Sequence, residues 1–235
     1  ELSKPVRPSA AQTANAGPSA RARMAVIVGV SAGNLIESFD WFVYASFALY
    51  FANSFFPKGD QTAQLLDAAA VFAVSFMVRP LGAWIIGVYA DRVGRRAGLI
   101  LSIALMTLGS LALSIIPDQK HIGALAPILL VLVRVVQGIS LGGEYGVSAA
   151  YLSEMAVRRH RGMWSSSLGA TPIIGQLCGL CLLLVLQANL SDQALHEWGW
   201  RIPFAIGGVL SLAVQWLRRG IEETTAFVKV ADKTG

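Results

Sequence analysis

The stretch GVYADRVGRR, residues 87–96, lies between two long apolar runs of the chain. Asp91 stands where the first apolar run stops, which indicates a membrane surface. Gly94 supplies the tight backbone turn that a short connection between two helices needs. Arg95 and Arg96 add the positive charge that is typical of cytoplasmic loops. The stretch therefore predicts two membrane helices joined by a short basic turn on the cytoplasmic side.

The composition of the chain is that of a membrane protein. The 235 residues are 54% hydrophobic and 14% charged, whereas soluble domains carry about 25% charged residues. Because one bilayer crossing takes about 20 apolar residues, the chain has room for about six transmembrane helices. The net charge of +5 comes from short basic clusters between apolar runs, so nucleic acid is not an expected partner. No nucleotide-binding loop, metal-ligand set or nucleophile–base spacing stands out, so we expect neither an enzyme nor a metal or organic cofactor.

The apolar runs predict an all-α membrane protein, a bundle of six transmembrane helices over residues 24–217. Residues 1–23 indicate a disordered basic cytoplasmic tail, and residues 218–235 a cytoplasmic tail or the start of a central loop. The predicted spans are Met24–Ala52, Ala63–Tyr89, Gly98–Ile116, Ile122–Met155, Met163–Ala188 and Ile202–Leu217.

The distribution of Lys and Arg over the loops predicts the orientation of the bundle. The loops at residues 91–96 and 158–161 are basic, whereas the alternate loops hold only Lys58 and Lys120, each near an acid. Under the positive-inside rule, both termini of this multi-pass chain lie in the cytoplasm. The expected location is a bacterial inner membrane.

Small residues inside the apolar runs predict close packing between helices. Gly87 is expected to let two helices approach each other. We interpret Cys178 and Cys181 as packing residues of a membrane helix, because no second cysteine pair or nearby histidine completes a metal site. Four glycines surround Glu144 and suit tight packing there: Gly138, Gly142, Gly143 and Gly146.

Five ionisable side chains interrupt the predicted spans. A charge near the bilayer centre costs about 2.5–3.5 kcal/mol on insertion scales, so these side chains must face the protein interior or water and largely pair with one another. One interpretation is that they form interhelical salt bridges and nothing more, which fits Glu144 best. The five residues are Glu37, Asp40, Arg79, Arg134 and Glu144.

The alternative interpretation is that these charges bind a solute and its coupling ion. Arg79 and Arg134 are candidates for binding a carboxylate, because a guanidinium stays charged and offers a fork of donors. Glu37 and Asp40 lie on one helix face and are candidates for carrying a proton, because a carboxyl group can be charged or neutral. Glu144, at the edge of the polar stripe that Arg134 begins, is a third proton-coupling candidate.

Several stretches together resemble the major facilitator superfamily and, within it, the metabolite:proton symporter family. The D-R-x-G-R-R turn at residues 91–96 resembles the signature loop between helices two and three of the superfamily. RVVQG at residues 134–138 matches a motif of helix four. The stretches at residues 33–57, 141–162 and 196–208 are similar to the symporter family. The resemblance covers about residues 25–225.

This resemblance implies the N-terminal half of a facilitator fold, so a second six-helix half is an expected partner beside membrane lipid. It implies proton-coupled symport of a dicarboxylate such as α-ketoglutarate by alternating access, with H⁺ as the coupling ion. Arg201 is the least secure contact, since it could only anchor its helix at the interface. The implied substrate contacts are Arg79, Arg134, Gln137, Tyr44 and Arg201, and the implied cytoplasmic gate is Asp91, Arg92, Gly94, Arg95, Glu154 and Arg158.

Other interpretations stay open at this point. Glu154 and Arg158 also form an ordinary helix pair four residues apart. The solute could be citrate, shikimate or a betaine-type osmolyte, which would need an aromatic cage from Tyr44, Trp41 or Trp84. The chain could also be a truncated half-transporter without activity of its own, because facilitators have twelve spans.

Overall fold

The computed structural model describes the backbone of residues 20–57, 59–155 and 161–220, and the side chains of residues 27–57, 59–152 and 169–220. All regular secondary structure in these segments is helical, as the sequence predicts. In chain order the helices are α1 (Ala20–Phe55), α2 (Gln61–Met77), α3 (Arg79–Val93), α4 (Arg95–Ile115), α5 (Gln119–Ile122), α6 (Leu125–Met155), α7 (Arg161–Asn189), α8 (Asp192–Ala194) and α9 (Arg201–Arg219), with a π-helical turn (Leu195–Gly199) before α9.

Four helical segments among the described residues are long and apolar enough to cross a membrane. They cover residues 61–93, 95–115, 125–152 and 169–189, and a fifth consists of residues 192–199 and 201–219 with a bend of 47°. The long helix α1 is not among these segments; Asn34, Glu37 and Asp40 in its middle lower its mean hydropathy. The prediction of six spans therefore requires that α1 also crosses the membrane. In the bundle, α1 packs against α7 and α9.

The second predicted span is interrupted in its middle. Helix α2 ends at Met77, and α3 begins at Arg79 with Pro80 in its first turn. Proline has no backbone N–H and crowds the carbonyl of the preceding turn, so it favours a helix start rather than a helix interior. The interruption places Arg79 at the junction of two helices.

Several helix boundaries differ from the predicted spans by a few residues, and two of these differences have a clear structural cause. The fourth span does not begin at Ile122, because Gly123 with φ of 60° separates the short helix α5 from α6. The predicted tail does not begin at Arg218, because α9 continues to Arg219 and the Arg218 side chain is 0% exposed. The tail segments 1–19 and 221–235 lie outside the described residues.

Glycines of α6 bring it into backbone contact with the second span. A Cβ atom on Gly142 would lie 2.8 Å from the carbonyl carbon of Arg79 and 2.9 Å from the amide nitrogen of Ala83. A Cβ atom on Gly138 would lie 2.9 Å from the Cα atom of Ser75. No side chain fits at either position, so α6 packs directly against the backbones of α2 and α3.

The packing role predicted for the other glycines holds at one of three positions. A Cβ atom on Gly143 would lie 2.6 Å from a methyl carbon of Ile86, which confirms close packing there. A Cβ atom on Gly87 or Gly146 would meet nothing within 4 Å among the described residues. The predictions that Gly87 and Gly146 mediate close helix contacts are therefore wrong.

An aromatic cluster joins the end of α1 to the start of α9. The ring of Trp200 lies 5.7 Å from that of Phe51 and 5.6 Å from that of Phe55, measured between centroids. Phe204 lies 6.3 Å from Trp200 in the same way. These buried rings fix the first turn of α9 against α1.

Candidate functional site

A partly open cavity of about 210 Å³ lies between α1, α3, α6 and α7. Its lining combines one acid, one base and several polar or aromatic side chains. Such a combination of an apolar pocket with a few convergent polar groups is typical of a small-molecule site. The lining includes Glu37, Trp41, Arg79, Tyr145 and Gln176.

Glu37 and Arg79 face this cavity without forming a salt bridge among the described residues. The Glu37 side chain is buried, and its Oε1 atom has no hydrogen-bond partner in the described part of the chain. The Arg79 guanidinium is half-buried and lies 5.2 Å from the ring centroid of Trp41 and 5.7 Å from that of Phe76. The aromatic rings hold the guanidinium over the cavity by cation–π attraction and leave its N–H groups available to a ligand.

A second polar cluster is buried beside the cavity and contains four predicted site residues. Arg134 Nη1 donates to Asp40 Oδ2 at 3.3 Å, and Gln137 Nε2 donates to the same oxygen at 3.2 Å. Ser110 Oγ donates to Asp40 Oδ1 at 2.6 Å. The Arg134 guanidinium lies 3.7 Å from the ring centroid of Tyr44. The structure thus brings Asp40, Arg134, Gln137 and Tyr44 together, and their predicted roles stay predictions.

The hydrogen bonding of this second cluster is incomplete. Among the described residues, Arg134 Nε and Nη2 and Gln137 Oε1 are buried and have no hydrogen-bond partner. Buried polar atoms without partners are costly, so they indicate a place where water or a ligand binds.

Glu144 does not face the cavity as a free carboxyl group. Both of its oxygens accept hydrogen bonds from Arg218, and Ser102 Oγ donates to Oε2. Arg218 also donates to the backbone oxygens of Leu99 at 2.7 Å and Gly29 at 3.1 Å. This pair favours the salt-bridge interpretation of Glu144 over a proton-coupling role.

Arg201 lies apart from the cavity, at the start of α9. It forms a salt bridge with Asp118 and donates to the backbone oxygens of Ile116 at 3.2 Å and Glu197 at 3.0 Å. Its guanidinium lies 4.2 Å from the ring centroid of Trp200. Because these contacts occupy its donors, the structure favours the anchoring interpretation of Arg201 over substrate contact.

The turn between α3 and α4 has the predicted shape. Gly94 has φ of 130°, which side chains with a Cβ atom rarely adopt. Asp91 forms a salt bridge with Arg95 across the turn, and Arg96 donates to the backbone oxygen of Arg219. The exposed side chain of Arg92 lies on the same surface. The side chain of Glu154 and the whole of Arg158 lie outside the described residues.

Two further features were predicted differently or missed. Cys178 and Cys181 are free and exposed on α7, rather than packed inside this bundle. Arg218, which the sequence predicts to lie in the tail, is instead on the buried face of α9. It follows the buried residues Gly207, Ser211 and Val214 at intervals of four, three and four residues. That spacing is the signal in the sequence that would have placed Arg218 on the buried face.

Comparison with known proteins decides the family. Residues 25–234 match the family described as "Sugar (and other) transporter". The chain belongs to the sugar (and other) transporter family. Membership confirms the expectation of a transporter rather than an enzyme.

Individual relatives of this transporter family support the assignment. The chain is 50% identical over 205 residues to α-ketoglutarate permease of Escherichia coli K12, covering 87% of this chain and 48% of the permease. It is 39% identical over 203 residues to the citrate-proton symporter of Salmonella typhi, covering 86% of this chain and 47% of the symporter. The chain therefore spans about half the length of these relatives.

A solved structure confirms the fold. The xylose transporter of E. coli, in a partially occluded inward-open conformation, matches with a TM-score of 0.81 at 19% identity. The match covers 90% of this chain and 51% of that transporter. The chain thus has the fold of the N-terminal half of a major facilitator transporter, as the signature loop predicted.

Proposed function

We propose that the chain is the N-terminal half of a symporter that carries a dicarboxylate such as α-ketoglutarate together with protons by alternating access. The observation that carries this proposal is Arg79, which lines the cavity and has no carboxylate partner among the described residues. A guanidinium binds a carboxylate through two parallel hydrogen bonds. The printed names of an α-ketoglutarate permease and a citrate-proton symporter among the relatives support an anionic solute and proton coupling.

The second cluster supplies contacts for the rest of the solute. Arg134 offers two buried nitrogen atoms, Nε and Nη2, that have no hydrogen-bond partner among the described residues, and Gln137 offers a buried acceptor. Tyr44 supports the Arg134 guanidinium through its ring. We assign Arg79 and Arg134 to the two carboxylates of the solute, and Glu37 and Asp40 to proton coupling.

We assign the basic turn between α3 and α4 to the cytoplasmic face of the membrane. With Asp91, Arg92, Gly94 and Arg95 in the cytoplasm, both termini lie on that side of a bacterial inner membrane. In this arrangement Asp91 binds the opposite half when the gate closes, and Glu154 and Arg158 belong to the same network.

A second six-helix half completes the proposed site. In the proposed transporter, this half contributes only part of the lining of the solute site. Large apolar side chains on the second span are exposed, with Met77 78% and Trp84 67% accessible. A second half or lipid covers them in the membrane.

The test of the proposal is uptake into proteoliposomes under an imposed proton gradient. Two preparations are compared: the 235-residue chain alone, and the chain joined to the C-terminal half of the E. coli α-ketoglutarate permease. We expect gradient-dependent uptake of radiolabelled α-ketoglutarate by the joined protein and none by the short chain. Uptake by the short chain alone would show that two copies suffice, and absence of uptake by the joined protein for any carboxylate would refute the proposal.

A zwitterionic osmolyte is the second candidate solute. Trp41 packs edge-on against Phe72 and Phe76, at centroid distances of 5.1 and 4.2 Å, beside the carboxyl group of Glu37. Aromatic rings and a carboxylate together suit a quaternary ammonium group. Competition by an unlabelled dicarboxylate, citrate, shikimate and glycine betaine against α-ketoglutarate uptake distinguishes the candidates, and we expect competition by the dicarboxylate without competition by betaine.

A further inference from the structure

The face of α1 that lines the cavity carries one small side chain among larger ones. Asn34, Glu37, Ser38 and Trp41 of this helix all line the cavity of about 210 Å³. Residues three and four positions apart are neighbours on a helix surface, so Ser38 stands between Asn34 and Trp41 on this face. Serine has the smallest of the four side chains. A larger side chain at position 38 would therefore extend into the cavity.

The two neighbours of Ser38 on this face are engaged by other helices. Asn34 Nδ2 donates to Thr171 Oγ1 of α7 at 2.8 Å. The Trp41 ring packs edge-on against two phenylalanine rings of α2, at centroid distances of 5.1 and 4.2 Å. These contacts direct the two side chains toward α7 and α2. Ser38 between them is half-buried and borders the cavity, so the space beside it is not filled by its own helix.

The hydroxyl group of Ser38 is bonded within its own helix. Ser38 Oγ donates to the backbone oxygen of Asn34 at 2.9 Å. Such a bond to the preceding turn is an ordinary arrangement for serine in a helix, and it uses the hydroxyl proton. Ser38 therefore affects a ligand in the cavity through its small size and not through its hydroxyl group.

Helix α7 meets α1 next to this part of the cavity. A Cβ atom on Gly175 would lie 3.0 Å from the amide nitrogen of Phe39 and 3.2 Å from the carbonyl carbon of Leu35. The backbones of α1 and α7 are therefore in contact, one residue before Gln176, which lines the cavity. Because of this contact, α7 cannot move closer to α1 to fill the space beside Ser38.

The space beside Ser38 adjoins the cation that is proposed to bind the solute. Arg79 lines the same cavity from α3, and its guanidinium lies 5.2 Å from the ring centroid of Trp41, the neighbour of Ser38 on α1. In a cavity of this size, a solute with one carboxylate bound to Arg79 has its carbon chain close to Ser38. A substituent on that chain would enter the space that the serine leaves.

We propose that Ser38 is a specificity-determining residue whose small size lets the site accept carboxylates with a branched carbon chain. This inference rests on the proposed transport of dicarboxylates and adds the class that the site accepts, which includes branched as well as unbranched ones. A larger side chain at position 38 excludes the branched solutes and keeps the unbranched ones.

The first test is competition against uptake of radiolabelled α-ketoglutarate by the chain joined to the C-terminal half of the permease. The probes are glutarate and dimethylglutarate with both methyl groups on its central carbon, which share their carboxylates and chain length. Both should compete in the unmodified protein. In Ser38→Leu, the inhibition constant of dimethylglutarate relative to that of glutarate should rise about tenfold or more, because one methylene group in an apolar pocket changes selectivity about 10- to 200-fold.

Further variants separate size from other effects in the same assay. Ser38→Ala removes the hydroxyl group and stays small, so the ratio of the two inhibition constants should not change. Ser38→Thr keeps the hydroxyl group and adds one methyl group, so it should raise the ratio less than Ser38→Leu does, and it decides the matter if Ser38→Leu does not fold. Ser114→Leu is the matched control, because Ser114 is also half-buried and bonded to its own helix but does not line the cavity.

Three results of this assay would refute the proposal. The first is that dimethylglutarate fails to compete in the unmodified protein. The second is that Ser38→Leu and Ser38→Thr weaken both probes equally, as a purely structural role of position 38 predicts. The third is that Ser38→Ala changes the ratio, since that would assign the selection to the hydroxyl group.

The second test measures the space beside Ser38 without a solute. In the 235-residue chain without its native cysteines, Ser38→Cys should react with both methyl and benzyl methanethiosulfonate, a small and a bulky neutral thiol reagent. Ser211→Cys is the control and should react with neither, because Ser211 is also bonded to its own helix but is buried away from the cavity lining. Reaction of Ser38→Cys no faster than that of Ser211→Cys would refute the proposal. If the unmodified joined protein takes up no carboxylate, the proposed function fails, and the thiol reaction still decides whether position 38 borders free space.

Discussion

Replacement of Arg79 by lysine tests the substrate site most directly. Lysine keeps the positive charge but is a point donor, so it cannot bind both oxygens of a carboxylate in the plane of a guanidinium. Arg79 has no acidic partner among the described residues, so the change leaves no buried carboxylate unpaired in the described part of the bundle. The expected loss is therefore one hydrogen bond to the solute rather than a loss of folding.

The magnitude follows from the kind of bond that is lost. A hydrogen bond to a charged group contributes about 1.5–3 kcal/mol. Since about 1.4 kcal/mol corresponds to a tenfold change in affinity, Arg79→Lys should weaken solute binding about tenfold to a hundredfold. Attraction of the cation to the ring of Trp41 persists in part, because an ammonium group also binds aromatic faces.

The assay is the concentration dependence of α-ketoglutarate uptake by the joined protein in proteoliposomes. The apparent KM should rise in Arg79→Lys, while the amount of inserted protein stays constant. Arg219→Lys is the matched control, because this arginine is exposed at the end of α9 and is not among the residues that line the cavity. An unchanged KM in Arg79→Gln, which lacks the charge altogether, would show that Arg79 does not bind the solute.

Two further predictions concern orientation and packing. In a chain without its native cysteines, a cysteine replacing exposed Lys120 should react with an impermeant thiol reagent on intact cells, whereas one replacing exposed Arg92 should not; the reverse pattern would invert the topology. Gly142→Ala should lower the melting temperature in detergent, because its Cβ atom would overlap the backbone of α3 and overpacking costs about 1–3 kcal/mol. Gly146→Ala, whose Cβ atom meets nothing within 4 Å, is the control, and equal melting of both variants would contradict the packing found here.

The features that follow from local chemistry were predictable from the sequence. Gly94 at a turn and the helix start at Arg79, just before Pro80, both follow from backbone geometry, which depends on one or two residues. The buried charges were also predictable, because a charge inside an apolar run is costly wherever it lies. These features were enough to predict an all-α membrane bundle and two residues of the cavity lining, Glu37 and Arg79.

The pairing of those charges was not predictable in the same way. Glu144 and Arg218 are 74 residues apart, and only the packing of α9 against α4 and α1 brings them together. The packing prediction for Gly87 was wrong for the same reason, because its local sequence does not tell which face of α3 meets another helix. Spacing along one helix predicts which residues share a face, but not which helix that face contacts.

The balance of buried charge connects the fold to the proposed mechanism. Asp40 with Arg134 joins α1 to α6, and Glu144 with Arg218 joins α6 to α9. Removing one partner of a buried pair costs about 3–5 kcal/mol, so these two pairs hold three helices of the half in a fixed arrangement. Glu37 and Arg79 line the cavity, and they form no salt bridge among the described residues. In the proposed transport cycle, Glu37 and Arg79 can therefore bind the solute and the proton without breaking such a pair.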